Sequence, residues 1–417
     1  MRAVTWQGNE KMSVETVPDP SLRAPTDAII RVTSTAICGS DLHLYSVLGT
    51  FMERGDIVGH EAMGIVEEVG SGVRKLKRGD RVVIPFVVAC GECWMCRRGL
   101  QSQCETTQVH AHDTGATLFG YSKLYGQLAG GQAQYLRVPL ADAGAIVVPD
   151  DGRPDERYLF MSDVLPTAWQ AVDYAGVEAG STVVVLGLGP IGQMSARIAK
   201  YRGARTVLAI DLVPERLALA ERHGIETLNR ADVADLADVV RDRIDGRGPD
   251  AVIDAVGMEA HGNPIVGAVH KVTSWLPDAV AEPMLLKAGV DRLRALHDAI
   301  GIVRRGGTIS ISGVYGGMAD PMPMLQIFDK QLTIRAGQAN VHRWISDIHP
   351  VVADPGDPLG VLDLASHRLS LDDAPMAYEK FQKKQDGFIK VVLDPWQAPP
   401  ASSGASERAA EFARPVQ

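Results

Sequence analysis

Apolar and polar positions follow two different rhythms along this chain. Up to about residue 150 the apolar residues come in short β-type runs at 1–6, 27–34, 63–69, 81–88 and 134–138, broken by Gly, Pro and Asp. Turn signals at Gly70-Ser71-Gly72 and Arg78-Gly79-Asp80 fall between the runs, which predicts a compact, irregular β domain. From residue 164 apolar strands alternate with helix-compatible segments. Strands are predicted at 182–186, ending at Asp211, at 225–228, 250–256, 308–314 and 331–336, and helices at 214–223, up to Arg247 and at 291–303. That alternation predicts a doubly wound parallel sheet, and the fold class is α/β. The apolar run 388–393 reads as a closing strand of the first unit. The expected domains are therefore 1–163 with 339–395, and 164–338. Residues 396–417, rich in Pro, Ala and Ser, are given no fold.

The stretch STVVVLGLGPIGQMSARIAKYRGARTVLAID, from Ser181 to Asp211, organises the second domain. Gly187 permits a tight turn, Gly189 lets the backbone approach a pyrophosphate, and Gly192 lets the helix pack closely on the strand. Pro190 and Ile191 complete the turn, where free N–H groups at the helix start face the phosphates. Asp211, about twenty residues on, can accept from both adenosine ribose hydroxyls. Leu212 and Val213 offer no cation for a 2′-phosphate, so NAD is favoured over NADP, although Arg216 one turn later is a cation within reach. The end of the 250–256 strand at Val256 should line the cofactor crevice, and Gly313 and Tyr315 fall where the backbone could approach the nicotinamide.

The chain has 417 residues, 46% of them hydrophobic, enough for two cores. A net charge of −9 gives no electrostatic reason to expect nucleic acid or an anionic membrane. No run of eighteen apolar residues occurs and residues 1–19 lack an apolar signal core, so a cytoplasmic protein is expected.

Five cysteines are present, and four lie between Cys90 and Cys104. Cys90, Cys93, Cys96 and Cys104 can close a tetrahedral shell around a structural zinc, with an iron–sulfur cluster or free thiols as the other readings. Gly91, Gly99 and the polar stretch 101–103 argue against any regular element in this lobe. A second, dispersed set comprises Cys38 in ICGSDLH, His60 in GHEAMG and Asp163 in SDVLPTAW. A thiolate, an imidazole and a carboxylate would leave one zinc position open, as catalysis requires. Taken singly, Cys38 is more often a core thiol and His60 a satisfied histidine.

With CGSDLH, GHEAMGIVEEVGSGV, the four-cysteine lobe and GLGPIG all present, the chain resembles the zinc-dependent medium-chain alcohol dehydrogenase superfamily over residues 1–395. The resemblance implies a GroES-like catalytic domain beside a Rossmann domain, and hydride transfer between an alcohol and NAD. It implies Cys38 and His60 as ligands of a catalytic zinc, Glu61 behind them as an outer or exchanging carboxylate, and Ser40 and His43 as a proton relay. Turn capping near Asp41 is the other reading of Ser40 and His43. Most members supply a second cysteine as third ligand, whereas this chain has none after Cys104 and offers Asp163. In that respect it is most similar to the glutathione-independent formaldehyde dehydrogenases, where an aspartate takes this place. A harder carboxylate should leave zinc more electrophilic. The other reading of Asp163 is an N-cap for a helix beginning near Leu165.

Residues 258–290 carry Gly262, Pro264, Pro277 and Pro283 and read as an irregular insertion. In the formaldehyde dehydrogenases that the chain resembles, an insertion here holds the cofactor so that it does not exchange; an oligomer contact or a loose loop is the alternative. A small alcohol or hydrated aldehyde resembling formaldehyde is the expected substrate, with dismutation where NAD is retained. A polyol or secondary-alcohol dehydrogenase and a non-catalytic NAD sensor are the competing functions. The unpaired edge of the last parallel strand predicts a homodimer or homotetramer. Trp169, Tyr45, Phe51 and Leu118 would either narrow the substrate pocket or be core residues.

Overall fold

A computed structural model describes residues 1–257, 293–315 and 322–398. The insertion expected at 258–290 and nearly all of the tail lie outside the described residues.

The first sheet is mixed. Its order is His367–Ser370, Val391–Asp394, Ala28–Ile37, Glu61–Val69, Arg81–Ile84, Ile146–Val147, with Tyr135–Val138 also paired to Ala28–Ile37. The strand expected at 81–88 stops at Ile84 because Pro85 has no N–H to give the ladder. At the far end of the chain, Val391–Asp394 runs antiparallel to Ala28–Ile37 with Val391 opposite Ile37. The closing strand thus joins the first unit.

The second sheet is wholly parallel, in the order Glu226–Asn229, Thr206–Asp211, Thr182–Leu186, Ala251–Asp254, Thr308–Ile311, Thr333–Ala336. Both faces are covered, so Thr182–Leu186 and Ala251–Asp254 are buried throughout. Strand order reverses between these two, and the crevice of such a sheet lies at that switch. The strand expected at 308–314 ends at Ile311, because the Ser312 and Gly313 amides both turn back to the Asp254 carbonyl at 2.9 Å. Thr333–Ala336 pairs on one side among the described residues.

The helix Val164–Tyr174 packs against Pro190–Tyr201 of the parallel sheet and against Val341–Ala353. Its buried Gln170 side-chain oxygen accepts from the Asn340 amide at 3.0 Å and from Trp344 Nε1 at 3.2 Å. That tie fixes the chain where it leaves the parallel sheet. Among the described residues no helix is long and apolar enough to cross a membrane.

Glycine geometry separates two roles in the GLGPIG turn. A Cβ on Gly192 would fall 1.8 Å from the Gly187 carbonyl oxygen, whereas one on Gly189 meets nothing nearer than Arg216 Nη1 at 4.0 Å. Gly192→Ala should therefore destabilise the fold by about 1–3 kcal/mol or more, read as a lower urea midpoint with unchanged slope. Gly189→Ala should keep wild-type stability and weaken dinucleotide binding roughly tenfold or more, a loss of about 1.4 kcal/mol. Equal midpoints for the two variants would contradict this division.

Candidate active site

Register along Ala28–Ile37 brings the dispersed set together. Ala36 lies opposite Glu61, so Cys38, just past the end of one strand, sits beside His60, just before the next. Asp163 immediately precedes the helix Val164–Tyr174, and the Ser162 carbonyl accepts from the Phe86 amide at 3.2 Å. Ligand atoms of Cys38, His60, Glu61 and Asp163 all lie within 4.8 Å of one another. All four residues are buried.

Donor spacing fits a tetrahedral metal. Zinc bonded at ordinary lengths to N, O and S holds its ligand atoms about 3.3–3.8 Å apart. Asp163 Oδ2 lies 3.4 Å from Cys38 Sγ and 3.4 Å from His60 Nε2. Burial first, then the Asp163 carboxylate, pushes the Cys38 thiol up to about 11. Burial disfavours a charged His60, yet Asp41 and Cys38 outweigh it and hold the imidazole well above its usual value. These donors keep protons that a divalent cation would displace. The second Glu61 oxygen, Oε2, is buried with no hydrogen-bond partner among the described residues, an acceptor left open in the cluster.

The N-cap reading of Asp163 is not what its carboxylate does. Asp163 occupies the N-cap position but makes no side-chain cap bond. Instead Oδ1 accepts from Thr167 Oγ1 at 2.6 Å, which turns Oδ2 toward Cys38 and His60. The helix Gly39–Ser46 places Ser40 and His43 one turn apart on the cavity side, with Ser40 Oγ 3.4 Å from His60 Nε2.

Behind the donors lies a buried polar layer that motif reading missed. His60 Nδ1 is 3.0 Å from Asp41 Oδ1, and Asp41 Oδ2 accepts from the Cys38 amide at 2.9 Å. Gln132 donates to Asp41 Oδ2 at 3.2 Å and accepts from the Tyr378 hydroxyl at 2.9 Å. Lys390, fully buried, pairs with fully buried Glu61 and donates to the Ile37 carbonyl at 3.2 Å. Burial works against the Lys390 charge, but Glu61 and then Cys38 more than offset it and hold the ammonium above its usual value. The signal was a lone cation inside the apolar run FIKVVL, since a buried lysine requires an anion.

The four-cysteine lobe forms a second cluster, with ligand atoms again within 4.8 Å of one another. Cys90 and Cys96 sulfurs are 4.0 Å apart, as are those of Cys93 and Cys104. The lobe is not free of regular structure as expected. A one-turn helix, Trp94–Arg97, and a 3₁₀ turn, Gln101–Gln103, sit between the cysteines. The reason is local: Cys93 Sγ accepts the Cys96 amide at 3.4 Å and acts as the cap. Burial opposes ionisation of Cys90, but the Thr106 hydroxyl and the Glu92 and Cys93 amides bring it down to about 6. Arg98 stacks on the Trp94 ring, 3.6 Å from its centroid.

One cavity of about 740 Å³ joins the donor cluster to the glycine turn. Cys38, Ser40, His43, His60 and Asp163 line one end, and Gly187, Gly189, Pro190, Ile191, Asp211 and Arg216 the other, with Val256, Gly313 and Tyr315 also in the wall. Glu61 and Gly192 lie behind it. Asp211 is held in place by the Leu188 amide on Oδ2 at 2.5 Å and by the Leu212 and Val213 amides on Oδ1 at 2.7 and 2.8 Å. Arg216 is 3.8 Å from Asp211. Tyr315 donates to buried Asp254 at 2.6 Å, a residue that sequence reading passed over inside its strand. Phe51 and Leu118 line the cavity, whereas Tyr45 packs on Tyr378 and Trp169 lies under Arg202.

Residues 24–150 match the family described as alcohol dehydrogenase GroES-like domain, and residues 190–271 match zinc-binding dehydrogenase. The chain is 42% identical over 401 residues to the uncharacterized zinc-type alcohol dehydrogenase-like protein AdhB of Bacillus subtilis, covering 95% of this chain and 100% of that protein. The chain belongs to the zinc-dependent medium-chain alcohol dehydrogenase superfamily. This dehydrogenase is also 34% identical over 418 residues to the formaldehyde dismutase of Pseudomonas putida, covering 94% of this chain and 97% of that one. Among solved structures it is similar to the alcohol dehydrogenase TADH from Thermus sp. ATN1, with a TM-score of 0.76, 34% identity, and 94% and 99% of the two chains covered. A GroES-like unit and a Rossmann sheet are thus the architecture of an oxidoreductase.

The ion pair behind the cluster makes a stability prediction. Lys390→Met in the dehydrogenase leaves Glu61 charged, buried and unpaired, and should cost about 3–5 kcal/mol. Adding Glu61→Leu should restore most of that loss in denaturant unfolding. If the double variant is no more stable than the single one, the pair is not the source of the loss.

Proposed function

We propose that the dehydrogenase transfers a hydride between a small alcohol or hydrated aldehyde and NAD, with formaldehyde hydrate as the substrate and dismutation as the outcome where NAD is retained between turnovers. The observation that carries the substrate choice is the Asp163 carboxylate standing with Cys38 and His60 where a second thiolate would be softer. The similarity to a formaldehyde dismutase over most of both chains supports it. NAD, as against NADP, rests on Asp211, whose two oxygens are fixed by backbone amides and retain lone pairs for ribose hydroxyls.

Cys38, His60 and Asp163 would hold a catalytic zinc, and Cys90, Cys93, Cys96 and Cys104 a structural one; the catalytic ion would supply Lewis acidity to the substrate oxygen. Thr167 aims the Asp163 carboxylate and Asp41 fixes the His60 ring, so the donors keep their directions. Ser40 and His43 carry the substrate hydroxyl proton along the helix Gly39–Ser46 toward solvent. Lys390 balances Glu61 and keeps that carboxylate from adding uncompensated charge beneath the site. The Gly187 and Gly189 turn, with Gly313 and Tyr315 opposite, seats the dinucleotide so that ring and substrate carbon meet. The exposed Met324, Leu325 and Phe328 beside the edge strand Thr333–Ala336 favour self-association into a homodimer or homotetramer.

Protein purified without added cofactor tests the reading. On denaturation it should release near-stoichiometric NAD and two zinc ions per chain, one for each cluster. The native sample given formaldehyde alone should form methanol and formate in equal amounts. Absence of bound NAD, with alcohol turnover only after NAD is supplied, would instead give an ordinary dehydrogenase with exchanging cofactor. Asp163→Asn should lower zinc content to about one per chain while the four-cysteine site stays loaded.

A further inference from the structure

Tyr121 is a buried, fixed side chain with an unused hydroxyl at the reacting end of the cavity. It is 8% exposed and lines the same cavity as Cys38, His60 and Asp163. Its ring stands edge-on to His60, with centroids 6.3 Å apart at 69°, and edge-on to Tyr125 at 5.5 Å and 80°. Two perpendicular neighbours leave the ring little freedom.

Buried tyrosines ordinarily find a partner for the hydroxyl. Here Tyr158 donates to Asp151 at 2.7 Å, Tyr315 to Asp254 at 2.6 Å and Tyr378 to Gln132 at 2.9 Å. The Tyr121 hydroxyl has none among the described residues. Nearby hydroxyls are engaged, Ser40 on His60 and Thr167 on Asp163. Phe86, Phe51 and Leu118 form the apolar part of the cavity wall, and Thr114 and Gln338 are polar residues of the same lining that make no hydrogen bond to Tyr121. Facing the cavity, that hydroxyl is available to a group on a bound ligand.

A simple primary alcohol presents one oxygen on its reacting carbon, and an aldehyde hydrate presents two. We infer that Tyr121 binds the second hydroxyl of an aldehyde hydrate whose first hydroxyl is held at Cys38, His60 and Asp163, so that the site selects geminal diols over simple alcohols. This rests on the hydride-transfer reading above and names its preferred substrate class. In the reaction RCH(OH)₂ + NAD⁺ → RCOOH + NADH + H⁺, the C–H bond breaks and its electron pair goes with the hydrogen to the nicotinamide ring. One hydroxyl proton leaves to solvent. The oxygen held by Tyr121 stays on the carbon as part of the carboxylic acid.

Tyr121→Phe removes one oxygen that has no hydrogen-bond partner among the described residues, so the variant should unfold at the wild-type midpoint. In zinc-loaded enzyme with NAD, kcat/KM for aldehyde oxidation should fall roughly 10- to 100-fold, the loss of a hydrogen bond made in a buried site, while alcohol oxidation should change less than about threefold. A binding measurement separates this from the chemistry. Trifluoroacetaldehyde hydrate and trifluoroethanol differ by one hydroxyl, and calorimetry on the enzyme with its reduced dinucleotide should find the hydrate preferred by wild type and the preference lost in the variant. An equal fall on both substrate classes, or a hydrate preference that survives the substitution, overturns the assignment. If wild type oxidises neither class, the reaction reading fails, and the binding comparison still decides what Tyr121 does.

Discussion

The strand Ala28–Ile37 is the constraint on which the active site depends. Its neighbours on the two sides, Glu61–Val69 and Val391–Asp394, are both antiparallel to it, and their registers place Glu61 opposite Ala36 and Val391 opposite Ile37. Cys38 emerges from the end of that strand with His60 on one side and Lys390 on the other. A slip of one residue in either pairing would send the partner side chain to the opposite face of the sheet. The helix Gly39–Ser46 then begins at once, so Ser40 and His43 follow from the same strand end.

Electrostatics beneath the donors come in balanced layers. Asp41 faces His60, Gln132 and the Cys38 amide donate to Asp41 Oδ2, and Lys390 faces Glu61. A group of thiol, imidazole and carboxylates packed this tightly is unfavourable without a cation; the ammonium of Lys390 supplies one, and a divalent ion at the donors would supply the rest.

Sequence motifs carried the elements whose chemistry is local. Gly187, Gly189, Gly192 and Asp211 lie within one strand-turn-helix-strand unit, and the cysteine lobe lies within fifteen residues, so spacing alone describes their geometry. Strand ends were less legible. Ile84 and Ile311 end their strands earlier than the apolar runs suggest, one because of Pro85 and the other because the Asp254 carbonyl captures two amides. The short helix in the cysteine lobe was hidden because its cap is a thiol, which turn rules do not count. Gln132, Tyr378 and Lys390 were missed because their roles exist only across 91 to 353 residues of chain, and Asp41 because its partner His60 belongs to a different motif. Tyr121 carries no motif at all; what marks it is a hydroxyl without a hydrogen-bond partner among the described residues, in the wall of the same cavity as Cys38 and His60.

The separation between Glu61 and its cation has a consequence for how the protein is made. Lys390 lies 329 residues after Glu61, near the end of the described chain. A chain emerging from the ribosome holds the whole Rossmann unit before it holds the one ammonium that Glu61 requires. The GroES-like sheet cannot bury that carboxylate as an ion pair until residue 390 has docked beside Ile37, and domains that fold as units during synthesis would leave it for last. On the proposed reading, metal capture at Cys38, His60 and Asp163 would wait for residue 390, whereas the cysteine lobe, whose four sulfurs are all present by residue 104, could load its ion while translation continues.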